Sequence, residues 1–184
     1  MKNCKYLVLV SLFFFGLCAC DTENKDEENE VTDIETVQFI EQAISCVDFS
    51  VNVLENNEET QRALLIYGNS KDDLVLTEAS QTFNLPVENL TVSIRDYDLP
   101  IGTWFYCNDI AFDPWPQVIE EWDLVSGSIT MSVSNIQSDP NLGLSDLYDL
   151  FILLEDAVFE NELGEQLMVE ELELEDLPMG WYPG

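Results

Sequence analysis

Two groups of carboxylates stand beside tryptophans in this sequence. Glu120, Glu121 and Asp123 flank Trp122, and Asp109 and Asp113 precede Trp115. Two acids held about 5 Å or about 6.5–9.5 Å apart can hydrolyse a glycosidic bond, one as acid and the other as nucleophile or base. Carboxylate oxygens on loops also suit Ca²⁺. Asp109 and Asp113 are the best metal candidates, with Asp96-Tyr97-Asp98 and Asp72-Asp73 as further acidic pairs; none follows an EF-hand pattern. With 37 acidic residues in the chain, such neighbours arise easily, and solvated surface charge is the ordinary reading of them. The chain contains no histidine, which excludes Ser-His-Asp and Cys-His nucleophiles and His-ligated zinc. It also lacks a Gly-rich phosphate loop and a GxSxG elbow. No catalytic residue can be assigned.

Aromatic residues offer a second kind of chemistry. Trp104, Phe105, Tyr106, Phe112, Trp115 and Trp122 crowd together, interrupted by Asp113-Pro114-Trp115-Pro116. Proline is confined to sheet edges and loops, so Trp115 is expected on one of these. An exposed indole can stack on a sugar or anchor a protein partner. Trp104, Trp115 and Trp122 are therefore the candidate ligand-binding residues; the competing expectation is that these rings close one end of a core.

The N-terminus says where such a surface would work. Lys2 and Lys5 precede an apolar run from Tyr6 to Leu17, followed by Cys18-Ala19-Cys20. A basic start, a short apolar stretch and a small residue at the cut are the parts of a secretory signal. The run of about a dozen residues is shorter than the roughly 20 needed to cross a bilayer. Leu17-Cys18-Ala19-Cys20 resembles the lipobox of bacterial lipoproteins. That resemblance implies cleavage after Ala19, lipid on Cys20 and attachment to a membrane. Residues 21–33 are almost wholly polar and acidic, too poor in apolar surface to fold and extended by self-repulsion. Within them Lys25-Asp26-Glu27-Glu28 resembles the export signal of surface lipoproteins in the Bacteroidota. It implies an outer-membrane protein at the cell surface, with the periplasmic face as the alternative. Together these features resemble the small Bacteroidota lipoproteins of unknown function.

Charge narrows the partners. After cleavage four basic residues face 37 acidic ones, a formal charge of −33. Nucleic acid and anionic lipid surfaces are repelled by such a chain, and a monomer is expected. A glycan or a protein remains as the partner. No cofactor is implied beyond the Ca²⁺ already considered.

With Cys4 and Cys18 removed and Cys20 acylated, Cys46 and Cys107 are the remaining thiols. Outside the cytoplasm an even pair points to a disulfide. A loop of about 60 residues closed this way would gain about 4 kcal/mol in the chain-entropy model. A redox or nucleophilic thiol would need a CxxC or a partner base, and neither is present.

The elements that must position these residues are mainly strands. Apolar residues make up 46% of the chain, enough for a packed core in spite of the charge. Val47, Phe49, Val51 and Val53 alternate with polar residues, as do Leu90, Val92 and Ile94. Val125, Ile129, Met131 and Val133 share a face opposite a row of Ser and Thr. Residues 62–67 and 73–77 read as two strands joined by a turn. Residues 150–159 and 165–177 flank Glu160-Asn161-Glu162-Leu163-Gly164 as a hairpin, with a bulge near Glu170-Glu171 where the apolar face switches. Thr32 and Glu35 match a capping box ahead of Val37, Ile40 and Ile44, which predicts one short helix over 34–44. The expected organisation is a signal peptide (1–19), an acidic tether (20–33) and one all-β domain (34–184). Its fold is an antiparallel β-sandwich or barrel of about 7–8 strands. The functional expectation is a non-catalytic, lipid-anchored binding or scaffold lipoprotein, with a carboxylate-dependent glycan-active enzyme as the alternative.

Overall fold

The alternating segments become strands that bury their apolar faces in common. A computed structural model describes residues 34–40, 43–46, 49–56, 60–106, 113–138 and 147–180, with the backbone alone at Cys46. They lie in the unit Asp33–Gly184. Among them are nine strands and no helix: β1 (Glu35–Thr36), β2 (Ala43–Cys46), β3 (Ser50–Leu54), β4 (Thr60–Gly68), β5 (Gln81–Leu85), β6 (Leu90–Ile101), β7 (Val118–Gln137), β8 (Leu147–Glu160) and β9 (Gln166–Met179). The sheet order is β1-β9-β8-β7-β6-β4-β3-β2, and β5 pairs with β7. This is one continuous curled sheet. Its ends approach each other: the Ser45 hydroxyl in β2 donates to the Pro178 carbonyl in β9.

The expected N-terminal helix is not formed. Glu35 and Thr36 pair in parallel with Leu167 and Met168, the Val37 amide donates to the Met168 carbonyl at 2.8 Å, and Val37 joins the core. The β-branched residues of this segment fit a sheet edge better than a helix, and burial outweighs a local cap. The parallel β1–β9 pair makes the sheet mixed rather than wholly antiparallel. Residues 73–77 also differ from expectation. They belong to a turn in which the Leu76 amide donates to Lys71 and the Val75 amide to Asp72, and Ser70 Oγ accepts from the Asp73 amide. The turn tucks Leu74 and Leu76 into the core, and the following strand is β5.

Two apolar clusters lie on opposite faces of the β3–β4–β6 region. Val51, Val53, Leu64, Ile66 and Ile94 belong to the main core, with Ile129, Met131, Ile152, Leu154 and Phe159 from β7 and β8. Leu54, Ala63, Leu65, Tyr97, Ile101 and Phe105 form a smaller one. Each fully buried Leu, Ile or Phe contributes roughly 1.5–3 kcal/mol.

Three adjacent strands change face at one level. β7 buries Trp122 and then Ile129, Met131 and Val133; β8 changes from Leu154 to Ala157, and β9 from Leu172 to Val169. On β7 the register shifts around Ser126, leaving Val125 47% exposed. Gly127 sits there at φ 138°. The face switch at Glu170-Glu171 occurs as expected. Its register to β8 is nevertheless unbroken, because Glu155 pairs with Glu171 and Ala157 with Val169. Both strands bend together; the break in register falls between Leu150 and Ile152.

Candidate functional site

The tryptophans do not form one platform. Phe105 is buried in the smaller cluster, and Trp104 meets it edge-on at 6.0 Å. Trp115 lies against the same ring at 4.9 Å, and Tyr97 and Tyr106 also meet it edge-on. Trp104 and Trp115 thus cover the outer face of β4 and β6, with Trp115 38% exposed. The Tyr97 and Tyr106 hydroxyls share a hydrogen bond at 3.0 Å, and burial pushes the Tyr106 phenol far above its usual range. Trp122 is elsewhere, 5% exposed in the main core.

Trp122 instead marks the polar end of that core. Its Nε1 donates to Asp96 Oδ2 at 3.1 Å. Arg62 grips the same carboxylate with two hydrogen bonds, Nε to Oδ1 at 2.6 Å and Nη2 to Oδ2 at 2.8 Å. Its guanidinium also sits 5.9 Å from the centre of the Trp122 ring. The hydrogen bond to Asp96 leads the causes that raise the Arg62 pKa above its usual value. Register explains the meeting: Arg62 on β4 is opposite Asp96 on β6, and Arg95 on β6 is opposite Glu121 on β7. Arg95 Nη2 lies 2.7 Å from Glu121 Oε1.

That register also sets two carboxylates against each other, because Asp96 is opposite Glu120. Directly opposed like charges destabilise a sheet. Each is answered by its own donor, Arg62 for Asp96 and Asn161 for Glu120. Asn161 Nδ2 lies 2.7 Å from Glu120 Oε1 and 2.8 Å from Glu165 Oε2. Asn161 Oδ1 accepts from the Leu163 and Glu165 amides. Asn161 is 6% exposed, so one buried amide both shapes the β8–β9 turn and ties it to the start of β7.

This tie places two hollows side by side. The first, a cavity of about 370 Å³, is lined by Glu55, Gln61, Arg62, Asp96, Tyr97, Ile119 and Glu120. The second, about 450 Å³, is lined by Val118, Ile119, Glu120, Glu121, Asp123, Glu162 and Leu163. Ile119 and Glu120 border both. Val118, Ile119 and Leu163 are 45%, 67% and 81% exposed, an apolar patch in an acidic rim.

Asp113 is exposed, and Asp109, Cys107 and Cys20 lie outside the described residues, as does the side chain of Cys46. The candidate disulfide, the lipidated cysteine and half of the candidate Ca²⁺ pair are therefore not described. Among the described residues no group of three or more Cys, Asp or Glu is arranged to hold a metal ion. Sequence reasoning singled out Glu120, Glu121 and Asp123, and named Asp96 as a Ca²⁺ candidate, but missed Arg62, Asn161 and Leu163 as site residues. Two signals pointed to them: a scarce arginine among many acids must find a partner, and Leu163 is an apolar residue in an otherwise polar turn. No family model matches the chain, no curated protein is significantly similar to it, and no solved structure matches its fold significantly.

Proposed function

We propose that this chain is a lipid-anchored extracytoplasmic lipoprotein that binds a partner and does not catalyse. The observation that carries the binding reading is the grouping of Val118, Ile119 and Leu163, all well exposed, around the second hollow. Exposed apolar side chains gathered at a concavity are the usual mark of an interaction site. The carboxylates beside them serve structure: both oxygens of Asp96 accept from Arg62 or Trp122, and Glu120 is held by Asn161. The lipobox at Leu17-Cys18-Ala19-Cys20 supports the anchor, and the acidic tether supports display away from the membrane. Loss of labelled palmitate on Cys20→Ser tests the anchor. A photo-crosslinking side chain at Ile119, compared on living cells with one at the equally exposed Val75, tests the surface. A discrete adduct from Ile119 alone is expected; its absence would remove the site.

One observation favours a carboxylate enzyme acting on glycans as a second reading. Asp96 and Glu120 face each other across β6 and β7 and line the same hollow, and glycosidases work with two carboxyl groups facing one cleft. Turnover of a glycan panel that disappears in both Asp96→Asn and Glu120→Gln would establish it.

A further inference from the structure

The second hollow has a charge as well as a shape. Glu120, Glu121, Asp123 and Glu162 surround its apolar side chains, and among the described residues no cationic side chain lines it. Arg95 reaches only Glu121 among these four in the ion pairs described. We infer that the surface made by Ile119, Leu163, Asp123 and Glu162 receives a cationic amphipathic segment of a partner polypeptide, with Lys or Arg beside apolar side chains. This rests on the reading of that surface as a binding site and adds the partner's chemistry.

Complementarity selects this occupant over the others at hand. A second copy of the chain would bring a formal charge of −33 after cleavage to an acidic rim, and the chain's own tether is acidic with Lys25 as its single cation. Both are repelled. A purely basic segment would leave Val118, Ile119 and Leu163 in water, and a purely apolar one would desolvate carboxylates without pairing them. A segment with both features meets both needs. Ile119 and Glu120 border the two hollows, but the first is lined by Arg62, which already pairs with Asp96. The cationic groups of the segment therefore belong at the second hollow, beside Ile119 and Leu163. Opposite charges would speed the encounter, and the apolar contact would slow release.

The test uses residues 21–184, which contain the core and all nine strands, with fluorescence anisotropy as readout. The probes are a ten-residue peptide alternating Lys and Leu, and the same peptide with Ser for Leu. The Lys/Leu peptide is expected to bind more tightly than the Lys/Ser peptide. Ile119→Ser with Leu163→Ser should weaken it by ~5-fold or more, as should Asp123→Asn with Glu162→Gln. Glu78→Gln with Glu88→Gln removes the same charge from other exposed positions and should change it less than ~2-fold. All six positions are exposed, and an unchanged thermal melt will show that each variant is folded. Equal binding of the two peptides, or equal loss in the charge-matched control, would reduce the effect to bulk charge and overturn the inference. So would no binding of the Lys/Leu peptide. An Ile119 adduct on cells without peptide binding leaves the surface standing and refutes its partner chemistry; no adduct refutes the surface itself.

Discussion

Gly127→Ala should cost far more stability than a glycine replacement in an exposed turn. Gly127 lies in the bend of β7 at φ 138°, where a built Cβ would stand 2.7 Å from the Ala157 Cα and 3.2 Å from its Cβ. The backbone conformation alone costs an L-residue about 1–2 kcal/mol. The contact adds about 1–3 kcal/mol, as for overpacking, because a backbone atom cannot swing aside like a side-chain tip. Lower entropy of the unfolded alanine chain returns about 0.4–1 kcal/mol. The net loss is ~1–5 kcal/mol, centred near ~3 kcal/mol. Gly164 supplies the reference: its φ is 81° and nothing lies within 4 Å of a built Cβ, so Gly164→Ala should lose only about 1 kcal/mol, the left-handed backbone cost less the unfolded-chain gain. Urea unfolding followed by tryptophan fluorescence measures both. Ala157→Gly should rescue Gly127→Ala only in part, because it removes the Cβ at 3.2 Å and leaves the backbone Cα at 2.7 Å and N at 3.2 Å. Equal losses at Gly127 and Gly164, or full rescue, would refute the close approach of β7 to β8 and with it the proposed origin of the bend.

Four other outcomes are expected. Asp96→Ala leaves the Arg62 guanidinium and Trp122 Nε1 without their acceptor in a largely buried place and should cost ~2–3 kcal/mol; the double variant Arg62→Met/Asp96→Leu should recover much of it in the same urea assay. Burial raises the pKa of Tyr67 and Tyr106 in the fold, so their stabilisation is complete below about pH 10 and is lost as the pH rises and the unfolded phenols ionise. Each group contributes up to ~1.4 kcal/mol per pH unit, and Tyr106→Phe should reduce the alkaline slope of the urea midpoint. Self-repulsion of the acidic chain predicts that moderate salt or millimolar Ca²⁺ raises the melting temperature; a melt independent of salt would contradict it. Mass spectrometry of the mature protein should find Cys46 and Cys107 joined, and two free thiols would refute that pairing.

The strand periodicity was legible wherever one face is buried and the other wet. Leu90, Val92 and Ile94 announced β6, and the β8–β9 hairpin was evident from its polar turn. Local signals misled where tertiary pairing decides. The helix signal at Glu35 is overridden by the parallel pairing of Glu35 and Thr36 with β9, and Leu74 and Leu76 are buried from a turn whose alternation imitates a strand. The site was legible only in part. Glu120, Glu121 and Asp123 stand together in the sequence, whereas Arg62 and Asp96 are 34 residues apart and meet through β4–β6 register. Trp104, Trp115 and Trp122 look like one group along the chain. The sheet sends the first two to one cluster and the third to the other.

The distribution of positive charge connects this fold to its proposed role. Arg62 and Arg95 answer carboxylates directly across the sheet, and Lys71 pairs with Asp72 at 2.8 Å. Arg62 is the most consequential placement, because Asp96 and Glu120 would otherwise repel each other at the end of the core. Asn161 completes the arrangement without charge, holding Glu120 while it folds the turn that presents Leu163. A second arginine at that position would neutralise the neighbouring hollow; an asparagine shapes it and leaves its field negative. Stability at the core's edge and an acidic rim next to exposed apolar side chains thus follow from the same hydrogen bonds. Replacing Asn161 by Asp should therefore do more than add a charge beside Glu120 and Glu165. Aspartate keeps an acceptor for the Leu163 and Glu165 amides but loses the two Nδ2 bonds and sets a third carboxylate against Glu120 and Glu165. It should untie the turn from β7, move Leu163 away from Ile119, and weaken Lys/Leu peptide binding despite the more negative surface. Tighter binding by Asn161→Asp would mean that charge alone governs recognition.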